Sequence, residues 1–202
     1  MKVYLESSVL TDWLFLRRVT LGSVRRALGV ETRASYKLMK GILAGKYSDE
    51  FYTSYWAIME SLQNYLRSFA MFNMLFDNLS LKYYEVVREY PRYKLTDRAF
   101  WQVASDVYQT LDDAQKRKRI TVRPEDYFYI SKFLNMGFDA VDAKHLIVAN
   151  EELECDIFVT KDRDFHDRRK DLKKLGLSVE YPGETMALLT LRSRHAPQTQ
   201  HP

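Results

Sequence analysis

The sequence predicts an α/β protein whose central, mainly parallel sheet is flanked by helices on both faces. Three observations carry this. The runs "VYL", "EFYTS", "CDIFVT" and "LSVEYP" are short, apolar and rich in β-branched or aromatic residues, as strands are. Between them lie stretches with apolar residues at helical spacing. The alternation of strand and helix then favours parallel crossovers over hairpins.

Taken in order, residues 3–5 form the first strand, and Val9, Leu10, Trp13, Leu14 and Leu16 give the next segment a helical stripe, capped by Ser7 or Ser8. Residues 32–43 read as a second helix ending near Gly41 to Gly45. "EFYTS" is the second strand, and the segment after it is a long amphipathic helix with Trp56, Met59, Leu62, Leu66, Phe69 and Phe72 near one stripe. Residues 81–119 read as a helical insertion broken in two by Pro91. Pro124, Glu125 and Asp126 suit a helix start, and Gly137 its end. "FDAVDAKHLIVAN" is a helix, "CDIFVT" a strand, "KDRDFHDRRKDLKKLG" a polar helix stopping at Gly176, and "LSVEYP" a last strand. One domain over residues 1–190 accounts for this pattern, followed by a polar tail, 193–202, expected to be disordered.

With 46% hydrophobic and 29% charged residues, the 202-residue chain has the balance of a globular protein with a sizeable core. A net charge of +4 agrees with a nucleic-acid partner without requiring one. A lone cysteine, Cys155, excludes an intrachain disulfide and a cysteine-rich zinc site and reads as a small core residue. "MKVYLESS" does not have the pattern of a signal peptide, and no stretch approaches the roughly 20 apolar residues of a membrane span, so a cytoplasmic location without membrane association is expected.

Parallel sheets place ligands beyond the carboxyl ends of their strands. Glu6 ends the first strand, Asp162 closely follows the "IFVT" strand, and Glu60 and Asp142 lie in helices adjoining strands, so all four could meet at one rim. Crowded carboxylates repel unless a cation or shared protons offset them, and oxygen donors suit Mg²⁺ or Mn²⁺. Such a cation activates water and offsets charge on a phosphate under in-line attack.

These motifs resemble those of PIN-domain ribonucleases. "KVYLESSVL" is similar to that family's opening strand, "YTSYWAIMESL" to its Ser followed six residues later by Glu, and "DAVDAKHLIVANEELECDIFVTKDRDF" to its Asp-Ala-x-His/Ile-Leu-x-x-Ala helix, apolar strand and Thr-x-Asp-x-Asp-Phe block. The resemblance covers roughly residues 1–70 and 120–182. It implies a PIN-like fold and a metal-dependent endonuclease acting on RNA, with Glu6, Glu60, Asp142 and Asp162 as the acid quartet holding Mg²⁺ or Mn²⁺ and Asp164 as a further contributor. Ser8 and Thr160 match positions that hydrogen-bond the acids. Many members are VapC-like toxins held inactive by a small antitoxin protein; others process RNA. The helical insertion reads as decoration that could serve as a lid, as a dimer surface for a second copy of the chain or as an RNA-binding surface. Glu6 stands where the family usually has Asp, which also admits a catalytically weak or inactive scaffold that binds RNA or protein.

Each residue has a plainer reading. Glu6 could be a solvent-facing strand end and Glu60 a surface charge on an amphipathic helix. Asp139 is assigned the helix cap and Asp142 the metal, while Asp162 and Asp164 could instead cap the following helix. His145 reads as a satisfied, half-buried histidine in preference to a catalytic base. The basic run 116–119, and Arg17, Arg18, Arg25 and Arg26, read either as surface charge or as groups flanking a phosphate. A haloacid-dehalogenase-type phosphatase would need Asp-x-Asp after the first strand, which "ESSVL" lacks.

Overall fold

The structure, a computed structural model, describes residues 1–18, 29–124 and 132–195. Five strands form one all-parallel sheet: β1 (Lys2–Leu5), β2 (Glu50–Ser54), β3 (Thr121–Arg123), β4 (Ile157–Val159) and β5 (Ser178–Glu180), in the order β3-β2-β1-β4-β5. The chain builds outward from β1 to β3 on one side, then crosses back to lay β4 against the other side of β1. The strand order therefore reverses between β1 and β4.

Alternation along each strand sends side chains to two separate cores. Val3, Leu5, Ile157 and Val159 belong to one, against helices α1 (Ser7–Arg18), α2 (Val30–Leu43), α3 (Tyr55–Phe76), α5 (Asp97–Lys116) and α10 (Pro182–His195). Tyr4, Phe158 and Val179 belong to the other, packed with Phe133 of α6 (Lys132–Asn135), Ala143 and Leu146 of α7 (Ala140–Leu146), Phe165 of α8 (Arg163–Asp167) and Leu172 of α9 (Arg169–Lys174). Both faces are covered, which is why β1 and β4 are apolar almost throughout.

The insertion holds one long helix, α5. Before it lie only a 3₁₀ turn (Leu81–Tyr83) and the single-turn helix α4 (Tyr84–Val87), with Pro91 in the turns that follow. Tyr93, with Leu79, Tyr84 and Val87, packs on Ala70 and Met74 of α3 as a small satellite core.

Several sequence expectations are corrected. Residues 121–123 form a strand, where the basic run and Pro124 had suggested only a lead into a helix; β2 supplies the partner that so short a segment needs. The helix start expected at Pro124, Glu125 and Asp126 lies outside the described residues for its two acids. The polar helix after β4 is two short helices meeting at Arg168, whose guanidinium donates to the Met136 and Gly137 carbonyls. Gly137 and Gly176 do close their segments, with φ of +84° and +86°, a left-handed backbone that glycine adopts without penalty. α7 continues into a π-helical stretch (Ile147–Glu152) that no spacing rule anticipates. The segment after Pro182 is a helix running through His195, three residues into the expected disordered tail, with the Ser193 hydroxyl donating to the Leu189 carbonyl.

Candidate functional site

The carboxyl ends of β1 and β4 meet at the reversal of strand order, the position where open parallel sheets form ligand crevices. Glu6 directly follows β1, and its main chain stays in the ladder through a hydrogen bond from its N–H to the Val159 carbonyl. The side chain then turns back over the start of α1. Its Oε2 accepts from the Ser8 N–H at 2.9 Å, the Ser8 hydroxyl at 2.5 Å and the Thr160 hydroxyl at 2.9 Å, and its Oε1 accepts from the Ser7 hydroxyl. Glu6, not Ser7 or Ser8, thus serves as the side-chain cap of α1. It is 4% exposed, so the plain reading of a solvent-facing strand end does not hold.

Glu60 lies in the second turn of α3, whose start is capped by Ser54 accepting from the Ala57 N–H. The Glu60 Oε2 is 2.8 Å from Nε2 of His145. The His145 ring is 1% exposed and its Nδ1 is 3.0 Å from the Tyr4 hydroxyl, which in turn is 2.9 Å from the Ser54 hydroxyl. A polar chain therefore runs Ser54–Tyr4–His145–Glu60 through the rim of the second core. Burial pulls the Glu60 carboxyl upward, but the hydrogen bond and charge of His145, aided by the Ser7 hydroxyl, outweigh it and hold its pKa below the ordinary value. One Ser7 proton thus stands between two carboxylates, Glu6 and Glu60, and can be donated to only one of them at a time.

α7 brings Asp142 and His145 to this rim one turn apart. Asp139 caps α7, accepting from the Val141 and Asp142 N–H groups at 2.8 Å. Asp142 is half-buried, and its pKa is pushed up to about 7, first by burial, then by the charges of Asp139 and Asp162, against His145, with Glu6 adding to the rise. Asp162 is exposed and caps α8, accepting from the Asp164 N–H at 2.9 Å, so it serves the helix and lends its charge to the rim together. Asp164 is exposed, and its N–H donates to the Asp162 carboxylate.

The four acids predicted from sequence therefore lie around one rim, but not as one equal quartet. Donor atoms of Glu6, Glu60 and His145 lie within 4.8 Å of one another, a spacing compatible with a shared metal ion. Asp142 and Asp162 border that group electrostatically. Among the described residues none of the four acids is ion-paired to lysine or arginine; the nearby Lys161 is held by Asp12 at 2.6 Å and Thr32 at 3.0 Å. Carboxylates without a lysine or arginine partner, together with one imidazole, are donors that a divalent cation fits. Ser8 and Thr160 both hydrogen-bond Glu6.

Of the basic groups noted in the sequence, those among the described residues do not pair with these acids. Arg17 and Arg18 bind Asp106, and Arg25 and Arg26 are outside the described residues. The run 116–119 leads into the amino end of β3, with Arg119 against Gly45, whereas the acids lie at the carboxyl ends of the parallel strands. His145, which reads from sequence as a satisfied histidine, Ser7, which reads as a helix cap, and Tyr4, which reads as part of the first strand, join the site. The i, i+3 spacing of Asp142 and His145 was the available signal for the first.

No family model matches the chain, and no curated protein or solved structure matches it.

Proposed function

We propose that the protein is a divalent-cation-dependent endoribonuclease of PIN-like fold that hydrolyses RNA phosphodiester bonds. The observation that carries this reading is the convergence of Glu6, Glu60 and His145 within 4.8 Å, bordered by Asp142, at the point where the parallel sheet reverses its strand order. The motif resemblance adds the substrate class, and the net charge of +4 agrees with a polyanionic partner. In this reading Glu6 and Glu60 hold the cation, and Asp142 and Asp162 face the water side of the site. Asp142, whose pKa without a cation is pushed up to about 7, gives up its proton when the cation binds and is then the carboxylate that takes one from an attacking water. Ser8 and Thr160 fix the Glu6 carboxylate through hydrogen bonds. When bound, Mg²⁺ or Mn²⁺ supplies charge neutralisation and lowers the pKa of water. A toxin held by a small antitoxin is the cellular role this activity suggests.

The test is incubation of purified protein with RNA, with Mn²⁺ or Mg²⁺ and with EDTA. Cleavage should need the cation and fall by at least 10²-fold in Asp142→Asn, in line with loss of a general base. Cleavage that survives EDTA, or that Asp142→Asn leaves intact, refutes the assignment.

A second reading, a non-catalytic scaffold that binds RNA or a protein, is favoured by one feature. Glu6 already accepts four hydrogen bonds from the protein, about the capacity of a carboxylate, and so is satisfied without a metal. Melting distinguishes the two. A cation at 100 times its Kd stabilises by about 2.7 kcal/mol, or roughly 5–11 °C for a domain of this size, whereas the scaffold should not respond.

A further inference from the structure

We infer that His145 is itself a ligand of the cation site, through Nε2, and that the site consequently favours Mn²⁺ over Mg²⁺. The inference rests on the reading that a divalent cation binds between Glu6 and Glu60.

Three features lead to it. The first is spacing. Donors on one ion at about 2.1 Å lie about 3 Å apart when adjacent and about 4.2 Å apart when opposite. His145 Nε2 and Glu60 Oε2 are 2.8 Å apart, and the Glu6 donor lies within 4.8 Å of both, so the three atoms need only small shifts to share an ion.

The second is the support behind the ring. A ligating histidine commonly commits its other ring nitrogen to a partner that fixes tautomer and orientation. Nδ1 of His145 has such a partner in the Tyr4 hydroxyl, itself held by Ser54. This chain of hydroxyls can run in either direction. With Ser54 donating to Tyr4 and Tyr4 to Nδ1, the ring presents Nε2–H to Glu60. With Nδ1–H donating to Tyr4 and Tyr4 to Ser54, Nε2 turns a lone pair toward the site. The two states of the neutral ring hold the same number of protons: the Nε2 proton leaves on the Glu60 side and one reaches Nδ1 through the Tyr4 and Ser54 hydroxyls, so a neutral imidazole is presented as a ligand by a network already built around it.

The third is the environment. An imidazole that is 99% buried on a rim of carboxylates, with no lysine or arginine paired to those acids among the described residues, is in a place that favours a cation over an anion. An imidazole donor suits transition metals, whereas Mg²⁺ prefers oxygen throughout.

The experiment loads the untagged full chain with Mn²⁺ alone and records pulsed electron paramagnetic resonance for coupling to ¹⁴N. The expected result is an imidazole nitrogen signal on bound Mn²⁺, its loss in His145→Gln, and a lower ratio of Mn²⁺ to Mg²⁺ affinity in that variant. Tyr4→Phe provides an independent arm that keeps the ring: Mn²⁺ affinity should fall about 10- to 100-fold. Bound Mn²⁺ without nitrogen coupling, coupling that persists in His145→Gln, or a Tyr4→Phe protein of unchanged affinity overturns the inference and leaves the nuclease reading standing. Failure of the wild-type protein to bind Mn²⁺ at all overturns both.

Discussion

Replacing Asp142 by asparagine should stabilise the protein when divalent cations are removed, and should do so only at the higher end of the pH range. The folded-state pKa of Asp142 is about 7, against an ordinary value of 3.8. Burial is the first cause, followed by Asp139 and Asp162, with His145 opposing and Glu6 adding. Between about pH 4 and pH 7 the unfolded chain has released this proton while the folded chain keeps it, so stability falls as pH rises through that window and levels off above it. At about 1.4 kcal/mol per pH unit the full displacement amounts to about 4 kcal/mol. The side chain is partly solvated, and screening reduces this to about 1–2 kcal/mol. Asparagine escapes that penalty but gives up the favourable charge in the first turn of α7, about 0.3–1 kcal/mol. The net gain is about 1 kcal/mol, which shifts the melting temperature by about 2–4 °C. Urea unfolding in EDTA at pH 8 and pH 4 reads it directly. The variant should be the more stable protein at pH 8, and its advantage should be gone at pH 4. A variant less stable than wild type at pH 8, or a difference of the same size at both pH values, would show that these carboxylates do not crowd Asp142.

Glu6→Ala strips the cap from α1 and leaves the Ser8 N–H and three hydroxyls without their acceptor, so it should cost about 2–4 kcal/mol in urea unfolding; a loss below about 1 kcal/mol would mean water replaces the carboxylate at no penalty. Phe165→Ala opens a cavity between Phe158 and Phe138, whose ring centroids lie 4.8 and 5.4 Å away, and should cost about 3–5 kcal/mol with cation binding retained by any protein that folds. Gly137→Ala forces a β-carbon onto a backbone with φ of +84° beside the Arg168 guanidinium, and should lower stability by about 1–2 kcal/mol; an unchanged midpoint would contradict the left-handed turn.

Where local pattern and tertiary environment agree, the sequence was readable. The "EFYTS" strand and the long helix behind it have the boundaries their residues suggest, because one face of each is apolar and the Ser54 side chain marks the junction. β3 was not readable: three residues flanked by a basic run and a proline become a strand only because Thr53 and its neighbours in β2 pair with them. The acids at 6, 60, 142 and 162 were legible because each stands at a fixed offset from a strand or helix end. The roles within that group were not. Glu6 looked like a strand terminus because its acceptors are used by Ser7 and Ser8, close in sequence, and by Thr160, which is distant. His145 looked like an ordinary half-buried histidine because the residue that orients it, Tyr4, lies on a strand 141 positions away in sequence.

The crowding of carboxylates without lysine or arginine partners has a source of support in the fold itself. Helices α1 and α3 begin where β1 and β2 end, and α7, prolonged by its π-helical stretch, begins at Asp139. Each amino terminus carries roughly half a positive charge, and carboxylates beside it are favoured. Glu6 takes that benefit directly by accepting from the Ser8 N–H, and Asp139 takes it by capping α7. The support is incomplete: Asp142, facing the same helix start as Asp139, still has its pKa pushed up to about 7. Helix termini are fixed, partial charges and are spent on the acids nearest to them. The remaining negative charge, concentrated between Glu6 and Glu60 where one Ser7 proton serves two carboxylates, can be offset by protonating Asp142 or by admitting a cation. Near neutral pH these two routes compete, so proton release from Asp142 should accompany Mn²⁺ binding: at pH 6 in weakly buffered solution a cation titration should acidify the medium more for the wild type than for Asp142→Asn, and at pH 9 the two should not differ. Equal proton release from the two proteins at pH 6 would separate Asp142 from the cation site and restrict that site to Glu6, Glu60 and His145.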